Sequence, residues 1–212
     1  MVTAREKINE VKMVYEEIAK DFSDTRGYIW PELKPFIKKV GSKESLLDVG
    51  CGNGRLLLGL PKTIKYTGLD ISPKLLEEAQ KKYPNNNFIE TDITKPEIWK
   101  HLGEFDHIFC VALMHHLPDK ESQLFVLKQI KAHLKPKSSL LVTVWNLWQK
   151  KYIKYHVDPA TKWQNPYWVN IPFKGKKRFC FAYTKPYLES LLKEAKLPLK
   201  IKKTEGNYLL YK

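Results

Sequence analysis

The stretch Leu46–Leu58 constrains the fold of this chain more than any other. It reads Leu-Leu-Asp-Val-Gly-Cys-Gly-Asn-Gly-Arg-Leu-Leu-Leu, so an apolar run over 45–49 leads into a glycine-rich turn and then into a leucine-rich segment able to form a helix. Strand, glycine turn and helix in this order are typical of a nucleotide-binding βα unit. The alternative is a glycine-rich turn that binds no ligand, because such a motif alone is a weak indicator.

The spacing of these glycines discriminates between ligands. A dinucleotide fingerprint, G-x-G-x-x-G, needs Gly or Ala where this chain has Arg55, and Gly54 comes one residue early. Asp48 at the strand end would repel a pyrophosphate, whereas a carboxylate suits a cationic ligand. S-adenosylmethionine (SAM) carries an ammonium and a sulfonium and no phosphate, so it fits this pattern.

The rest of the chain alternates predicted strands with predicted helices, which indicates a parallel sheet with right-handed crossovers. An amphipathic helix over 6–22 and a second helix over 31–40 precede the glycine motif. Strands are predicted at 65–69, 87–90, 105–113 and 138–145, with helices at 72–83, 95–101 and 121–134. A helix over 184–195, with Thr184 as its N-cap, and a β-hairpin formed by 199–203 and 207–211 close the chain.

Length and composition predict one domain with four parts. These are a helical cap (1–41), a cofactor-binding core (42–145), a basic aromatic insertion (146–183), and a closing helix and hairpin (184–212). No apolar run approaches the ~20 residues that span a bilayer, the N-terminus shows no signal-peptide pattern, and the three cysteines form no C-x-x-C pair. We therefore expect a cytoplasmic protein with no membrane association and no metal site.

The positive charge is concentrated in the last third of the chain. Residues 146–212 carry 15 Lys and Arg against 4 Asp and Glu, a net +11 of the chain's +14. Lysines alternate there with aromatic residues, and prolines interrupt any regular periodicity, so 146–183 is interpreted as a functional insertion or lid. Either this charge is a solvated lysine-rich surface, or it binds a polyanion such as nucleic acid; its concentration favours the second.

Taken together, these motifs resemble the class I SAM-dependent methyltransferases. Asp48 to Gly54 match their first motif, Asp70 their second, Asp92 their third, and 105–108 their fourth-strand motif. The stretch 15–26 with Trp30-Pro31, the pair His115-His116 and the Val144-Trp145 ending resemble the tRNA wobble-uridine (carboxymethyluridine) methyltransferases. The chain departs from that family at Arg55-Leu56, where Lys-Tyr is usual, and the segments 171–173 and 178–181 match only loosely.

The resemblance implies a Rossmann-like α/β fold, a mostly parallel seven-stranded sheet with helices on both faces and a C-terminal antiparallel hairpin. It implies SAM as cofactor and tRNA as partner, and in some family members a small activating protein subunit. The cofactor-binding residues that it implies are Arg26, Trp30, Asp48, Gly50, Cys51, Gly52, Asn53, Gly54, Asp70, Ile71, Asp92, Ile93 and Val111.

Within that set, Asp48 is expected near the methionyl ammonium or the sulfonium, Asp70 at the ribose diol, and Asp92 with Ile93 at the adenine. Asp70 and Asp92 follow strands directly, so each is alternatively a helix cap. Arg26 is expected to contact the SAM carboxylate or an acidic acceptor, with a surface salt bridge as the alternative. Trp30 is alternatively plain core packing.

Two further groups are predicted on the acceptor side. Arg26 and His115 are the candidate catalytic residues, and the substrate-binding candidates are His115, His116, Trp145, Lys174, Lys177 and Arg178. If the two histidines lie on extended backbone, they point apart, so a two-histidine metal site is not expected and at most one faces the cofactor; a structural role is the alternative for each. For an ionised carboxylate acceptor, Arg26 is the better-matched cation and Arg178 the second.

Three functions fit these observations. The first is a tRNA methyltransferase acting on a modified wobble uridine, and the second a small-molecule carboxyl or hydroxyl O-methyltransferase with an incidental basic tail. The third is an inactive SAM-fold binding protein. The intact glycine motif with its three aspartates argues against the third, and the basic tail favours the first over the second.

Overall fold

A computed structural model of the protein describes residues 2–156 and 165–212. The middle of the predicted insertion, 157–164, lies outside the described residues. The described strands are β1 (Ser45–Val49), β2 (Lys65–Asp70), β3 (Asn87–Glu90), β4 (Phe105–Val111), β5 (Leu134–Trp145), β6 (Trp168–Phe173), β7 (Lys176–Phe181), β8 (Lys200–Lys203) and β9 (Asn207–Tyr211).

Seven of these strands form one sheet in the order β3-β2-β1-β4-β5-β9-β8. The first five are parallel, and β9 runs antiparallel to both β5 and β8. The chain reverses its strand order between β1 and β4, which is where open α/β sheets bind ligands beyond the carboxyl ends of their strands. The predicted mostly parallel sheet and closing hairpin are confirmed.

The four longest of the described helices begin with a side-chain cap. The described helices are α1 (Ala4–Asp24), α2 (Lys34–Ile37), α3 (Pro73–Lys82), α4 (Pro96–Trp99), α5 (Lys120–Ala132), α6 (Lys150–Ile153) and α7 (Lys185–Glu194). Thr3 and Glu6 form a capping box at α1, and Ser72, Asp119 and Thr184 accept backbone hydrogen bonds at the starts of α3, α5 and α7. None of the helices described is long and apolar enough to cross a membrane.

Two predicted helices are shorter than expected. The segment 31–40 forms a 3₁₀ turn at Pro31–Leu33 and the single turn α2. The leucine-rich segment after the glycine motif is only a four-residue 3₁₀ helix, Arg55–Leu58. Leu56 is buried whereas Leu58 is half exposed, so the leucines of this segment do not all pack on one face.

Side chains alternate across the sheet and fill two separate cores. Leu46 belongs to the core that includes α2 and part of α3, whereas Leu47 belongs to the core that includes α5 and α7. Leu209 and Leu210 divide in the same way. Because neighbouring strand residues point to opposite faces, the helices cover both faces of the sheet, as predicted.

The insertion contains regular structure that the sequence did not predict. β6 and β7 form a separate two-stranded hairpin in which Ile171 pairs with Arg178 and Phe173 with Lys176. Its two-residue tip, Lys174-Gly175, has φ of 49° and 77°, as a tight hairpin turn of the primed type requires at both positions. α1 packs against both α3 and β7, so the hairpin lies beside the first helix.

Candidate active site

A cleft lies at the carboxyl ends of β1, β2 and β4, under α1. It consists of two adjoining cavities that share the lining residues Val11, Gly50, Asp70, Ile71, Leu113 and His116. One cavity extends along the glycine turn to Trp30, Arg55 and Trp145, and the other extends past Asp92 and Ile93. A molecule bound along the whole cleft would pass over Gly50 and Asp70 between the two ends.

The glycine turn needs its glycines for two reasons. Gly50, Gly52 and Gly54 have φ of 78°, 54° and 71°, a region that other residues rarely adopt. A Cβ on Gly50 would also lie 2.8 Å from Cβ of Leu113. The backbone NH groups of Gly50 and Cys51 donate to the Leu69 carbonyl at 2.7 and 2.9 Å, which holds the turn open at the end of β1.

Cys51 and Asn53 also line the cleft, and Asn53 connects the turn to α1. The Asn53 side-chain amide donates to the Ser23 hydroxyl at 3.0 Å. Gly54 itself does not line either cavity and is the N-cap of the 3₁₀ helix Arg55–Leu58. Val111, at the end of β4, also lines the cavity that contains the glycine turn.

Asp70 lies at the junction of the two cavities. One carboxylate oxygen accepts from the Gly52 backbone NH at 2.8 Å and the other from the Ser72 NH at 3.0 Å. Each oxygen keeps a lone pair for a further donor, which suits a diol bound across the carboxylate. Burial raises the pKa of Asp70, so a donor pair from a ligand would offset a desolvation cost that the free site carries.

Asp92 and Ile93 lie at the other end of the cleft. The Asp92 carboxylate accepts from the Thr94 hydroxyl at 2.6 Å and from the Thr94 NH at 3.0 Å, and it forms an ion pair with Arg5 of α1. Burial opposes ionisation, but these hydrogen bonds and Arg5 outweigh it and lower the pKa of Asp92. Asp92 is therefore an anion with remaining acceptor capacity and not the N-cap of α4, which is Lys95.

Asp48 does not line the cleft directly. It is 2% exposed and accepts from the Tyr66 hydroxyl at 2.7 Å. Burial raises the pKa of Asp48 to about 7, against the lowering effects of Tyr66 and Arg55. Any contact with the ligand's cationic end therefore acts through the wall of the glycine turn.

Three arginines surround the end of the cleft remote from Asp92. Arg26 lines the cavity, and its guanidinium lies 4.5 Å from the Phe22 ring and donates to the Thr25 hydroxyl at 2.9 Å. Arg55 lies 4.2 Å over the ring of Trp30, which is half buried at the edge of the second core. Burial lowers the pKa of Arg55 to about 10, so Arg55 remains a cation at neutral pH.

The third arginine, Arg178 of β7, is the most buried. It is 4% exposed, and its guanidinium lies 4.9 Å from the Trp145 ring and 4.7 Å from the Phe173 ring. Its Nε and Nη1 atoms are buried without a hydrogen-bond partner among the described residues. Since buried guanidinium groups are normally paired, Arg178 is prepared to receive an anion.

The two histidines do not point apart, contrary to the prediction. Met114–His116 forms a 3₁₀ turn instead of extended backbone, and the two ring centroids are 4.4 Å apart. His116 lines both cavities, whereas His115 lines neither and stacks on Trp145 at 4.6 Å. The expectation that at most one histidine faces the cofactor therefore agrees with the cavity lining, although its geometric reason was wrong.

Hydrogen bonds fix the protonation of His116. Its Nδ1 lies 2.8 Å from the Phe179 carbonyl and its Nε2 3.0 Å from the Tyr15 hydroxyl. The carbonyl can only accept, so Nδ1 carries the proton and Tyr15 donates to Nε2. Burial lowers the pKa of His116 to about 4 and that of His115 well below its usual value, so both rings are neutral at pH 7.

His115, His116 and Cys180 have donor atoms within 4.8 Å of one another and are all buried. Both nitrogens of His116 already have partners, and the positive charge of Arg178 acts on both rings and lowers their pKa values further. A cation would therefore have to break the Tyr15 contact and approach a guanidinium. This donor set does not suit a metal ion.

Lys174, at the tip of the β6–β7 hairpin, and Lys177, on β7 close to the tip, are both exposed. Neither lines the cleft, and the buried Arg178 does not line it either but contacts Trp145, which does. Of the predicted site residues, the structure thus brings Arg26, Trp30, Trp145 and His116 together at one end of the cleft, with Arg178 stacked on Trp145, and leaves the two lysines on the surface beside it.

Tyr15 and Arg55 contribute to the site but were not predicted as site residues. In the sequence, Tyr15 fits the apolar face of an amphipathic helix, and Arg55 is only a departure from the dinucleotide pattern and from the Lys-Tyr that is usual in the tRNA enzymes. Both line the cavity that contains the glycine turn. The available signal was their position in the motifs themselves, since Tyr15 begins the stretch that resembles the tRNA enzymes and Arg55 follows the last glycine.

Comparison with known proteins agrees with this geometry. Residues 46–137 match the family model described as a methyltransferase domain. A solved structure, the DhpI–SAM–HEP complex, shares the fold with a TM-score of 0.69 at 16% identity over the full length of both chains.

Two curated relatives are more similar in sequence. The chain is 35% identical over 149 residues to a tRNA (carboxymethyluridine(34)-5-O)-methyltransferase of Saccharomyces cerevisiae, which covers 69% of this chain and 52% of the relative. It is 29% identical over 176 residues to the protein of the same name in Arabidopsis thaliana, covering 77% of this chain and 42% of the relative. The chain thus spans about half the length of these relatives.

The sheet order and the glycine turn are those of the class I SAM-dependent methyltransferase fold, and residues 46–137 match a methyltransferase domain. Within that class, the chain resembles the tRNA (carboxymethyluridine(34)-5-O)-methyltransferases. The cofactor of the class is SAM, and the residues present fit it: the open glycine turn, the free lone pairs of Asp70, and a buried Nη1 of Arg55 without a partner among the described residues.

Proposed function

We propose that this protein transfers a methyl group from SAM to the carboxylate of a carboxymethyl-modified uridine at the wobble position of tRNA, in the cytoplasm. The observation that carries the proposal is Arg178, a buried guanidinium stacked on Trp145 at the acceptor end of the cleft, with two nitrogens that have no partner among the described residues. A carboxylate is the ligand that such a planar donor fork fits best.

Carboxylate methylation needs little from the protein beyond position and charge. A carboxyl group with a pKa of ~4 is ionised at neutral pH, so it can attack without a general base. Bound SAM would supply a methyl carbon activated by the sulfonium, and transfer would replace its C–S bond by a C–O bond to the acceptor, with the electron pair of the C–S bond left on sulfur. Arg178 would hold the acceptor oxygens, and α1 with Tyr15 and Phe22 would limit water around them.

The groups beside Arg178 are poorly suited to a hydroxyl or amine acceptor. His116 is neutral, but its Nε2 already accepts a hydrogen bond from the Tyr15 hydroxyl, and burial raises the pKa of that hydroxyl. The two ring nitrogens of His115 have no partner among the described residues, but burial lowers the pKa of this ring well below its usual value, so it is a weak base. The described residues at this end thus provide cations for an anionic acceptor and only weak bases for a neutral one.

We place the acceptor carboxylate on Arg178 and not on Arg26, which was the better-matched cation by motif. Arg26 already donates to Thr25 and is partly exposed, so without an anionic ligand its guanidinium is still hydrogen-bonded and solvated. Arg178 is buried, and two of its nitrogens have no partner among the described residues without such a ligand. Arg26, which lies near Arg178 and Tyr15, then contributes a second positive charge to the same region.

The exposed lysines support a nucleic-acid acceptor over a small molecule. Lys174 and Lys177 lie at and close to the tip of the hairpin whose inner side carries Arg178. A phosphate backbone held by this tip would lie next to the acceptor end of the cleft. The resemblance to enzymes named for tRNA carboxymethyluridine agrees with this arrangement.

The proposal is tested with isotope-labelled SAM and tRNA that contains carboxymethyluridine, followed by mass spectrometry of the digested nucleosides. The expected product is the labelled methyl ester of carboxymethyluridine, and prior hydrolysis of the tRNA to nucleosides should abolish it. Labelling of free carboxylic acids in preference to intact tRNA would instead support the small-molecule alternative.

The same reaction tests the small activating subunit that the resemblance implies. The reaction is run with the purified chain alone and with the purified chain plus an extract of cells that lack the gene for their own methyltransferase. Activity that appears only with the extract would extend the proposal to a partner protein.

A further inference from the structure

Arg55 is a buried cation with an unused donor. It begins the 3₁₀ helix after the glycine turn, and its guanidinium lies 4.2 Å from the centroid of the Trp30 ring. Its Nη1 is buried without a hydrogen-bond partner among the described residues, and none of the ion pairs described there includes it. Leaving such a donor unsatisfied is costly, so this position favours an anionic ligand.

The position of Arg55 in the cleft shows which part of a ligand it would meet. Arg55 lines the same cavity as Gly52 and Asn53, whereas Asp92 lines the other cavity and Asp70 lines both. Asp70 therefore lies between Arg55 and Asp92 along the cleft. If adenine lies by Asp92 and ribose by Asp70, the amino-acid end of the cofactor lies against the glycine turn. That end carries an ammonium and a carboxylate.

A separated pair of charges stands at this end of the cleft. Asp48 lies under the turn and acts electrostatically on Arg55, but it bonds to Tyr66 and not to the guanidinium. An anion and a cation that remain apart can each attract the opposite charge of a zwitterion. A paired Asp48 and Arg55 would neutralise each other and lose this capacity.

We propose that Arg55, held flat by Trp30, binds the methionyl carboxylate of SAM and makes the site specific for the carboxylated cofactor. The inference rests on the cofactor assignment and is independent of the acceptor. Stacking on Trp30 fixes the plane of the guanidinium, which favours two-point binding of a carboxylate. Arg26 already donates to Thr25, and its positive charge acts on both Arg55 and Arg178, so it is not the unpartnered cation at the glycine turn.

The test is calorimetry with two ligands that differ only in the carboxylate. These are S-adenosylhomocysteine and its decarboxylated analogue, S-adenosyl-3-thiopropylamine. Arg55→Met keeps the apolar stem over Trp30, and we expect it to weaken S-adenosylhomocysteine about 10- to 100-fold while changing the analogue less than about threefold. Lys128→Met removes an exposed cation of α5 that lines neither cavity, so it is the control and should leave both affinities unchanged.

Equal weakening of both ligands by Arg55→Met would show a structural role and overturn the proposal. A carboxylate-specific loss in Arg26→Met, with none in Arg55→Met, would overturn it as well. Arg55→Lys keeps the charge without the planar fork, so it should give a smaller but still carboxylate-specific loss, and it decides the question if Arg55→Met does not fold. No tRNA is used, so a negative result leaves the proposed acceptor untouched.

Discussion

Replacing Arg178 by methionine should separate catalysis from folding. Methionine preserves much of the apolar stem between Trp145 and Phe173 and removes the guanidinium. The proposed role of Arg178 is to hold an ionised acceptor in a water-poor site. The variant should therefore lose turnover of carboxymethyluridine-containing tRNA while it keeps its fold and its affinity for SAM.

The structure sets the size of both effects. Opposite charges about 4 Å apart interact by about 4 kcal/mol at an effective dielectric constant of about 20, and loss of one preorganised donor typically costs about 100- to 1000-fold in rate. Two effects of the substitution on the free energy of unfolding oppose each other. The variant loses two cation–π contacts of ~0.5–2 kcal/mol each, and it also removes two buried, unpartnered donors that cost ~1–3 kcal/mol each. These contributions nearly cancel, so the melting temperature should change by less than about 4 °C.

The assay measures labelled methyl transfer to tRNA at saturating SAM, together with thermal unfolding of the free protein. Lys128→Met, which removes an exposed cation from the middle of α5, is the matched control and should leave both readings unchanged. Turnover by Arg178→Met within threefold of the parent would refute the reasoning. A large drop in melting temperature would show instead that Arg178 is a structural residue.

Four further outcomes are expected. Asp70→Asn should weaken SAM by about 1–3 kcal/mol in calorimetry because it replaces a carboxylate oxygen that faces the ribose; an unchanged affinity would contradict that placement. Lys174→Asn should lower the slope of log tRNA affinity against log salt by about one unit without loss of stability, since Asn tolerates φ of 49° better than Lys; an unaltered slope would remove Lys174 from the interface. Turnover at saturating SAM should be nearly flat from about pH 6 to 8.5, because the pKa of His116 is about 4; a sigmoid lost in His116→Ala would indicate a base. SAM affinity itself should fall as the pH drops below about 7, the pKa of Asp48. Below that pH Asp48 is protonated and uncharged, so it no longer attracts the cationic end of SAM. Asp48→Asn should abolish this pH dependence.

The sequence predicted the strands well because their apolar runs are bounded by turn residues. β1, β3 and β9 have the expected bounds, and the glycine turn lies where its spacing placed it. β5 begins four residues earlier than expected, at Leu134, and runs through Pro136. A proline normally argues against a strand, so this extension could not be inferred locally.

The proposed acceptor end of the cleft was harder to predict because distant segments build it. Tyr15 and His116 are 101 positions apart and meet only because α1 lies over the carboxyl ends of the strands. The two histidines depend on a 3₁₀ turn, which no periodicity indicated. The burial of Arg178 depends on a hairpin in a segment that looked irregular, so its importance relative to Arg26 required the packing of Trp145 and Phe173.

The two-residue tip of the β6–β7 hairpin has a consequence for how this enzyme can change. Arg178 and Lys177 are neighbours on one strand, and a tight turn fixes which of them pairs with Ile171 and which with Pro172. A single insertion or deletion at the tip would shift the pairing by one residue and exchange the faces of the strand, so that the lysine would enter the interior and the arginine would meet solvent. In the proposed function, substitutions could therefore adjust RNA affinity and acceptor choice separately, whereas a change in the length of this turn would alter both at once.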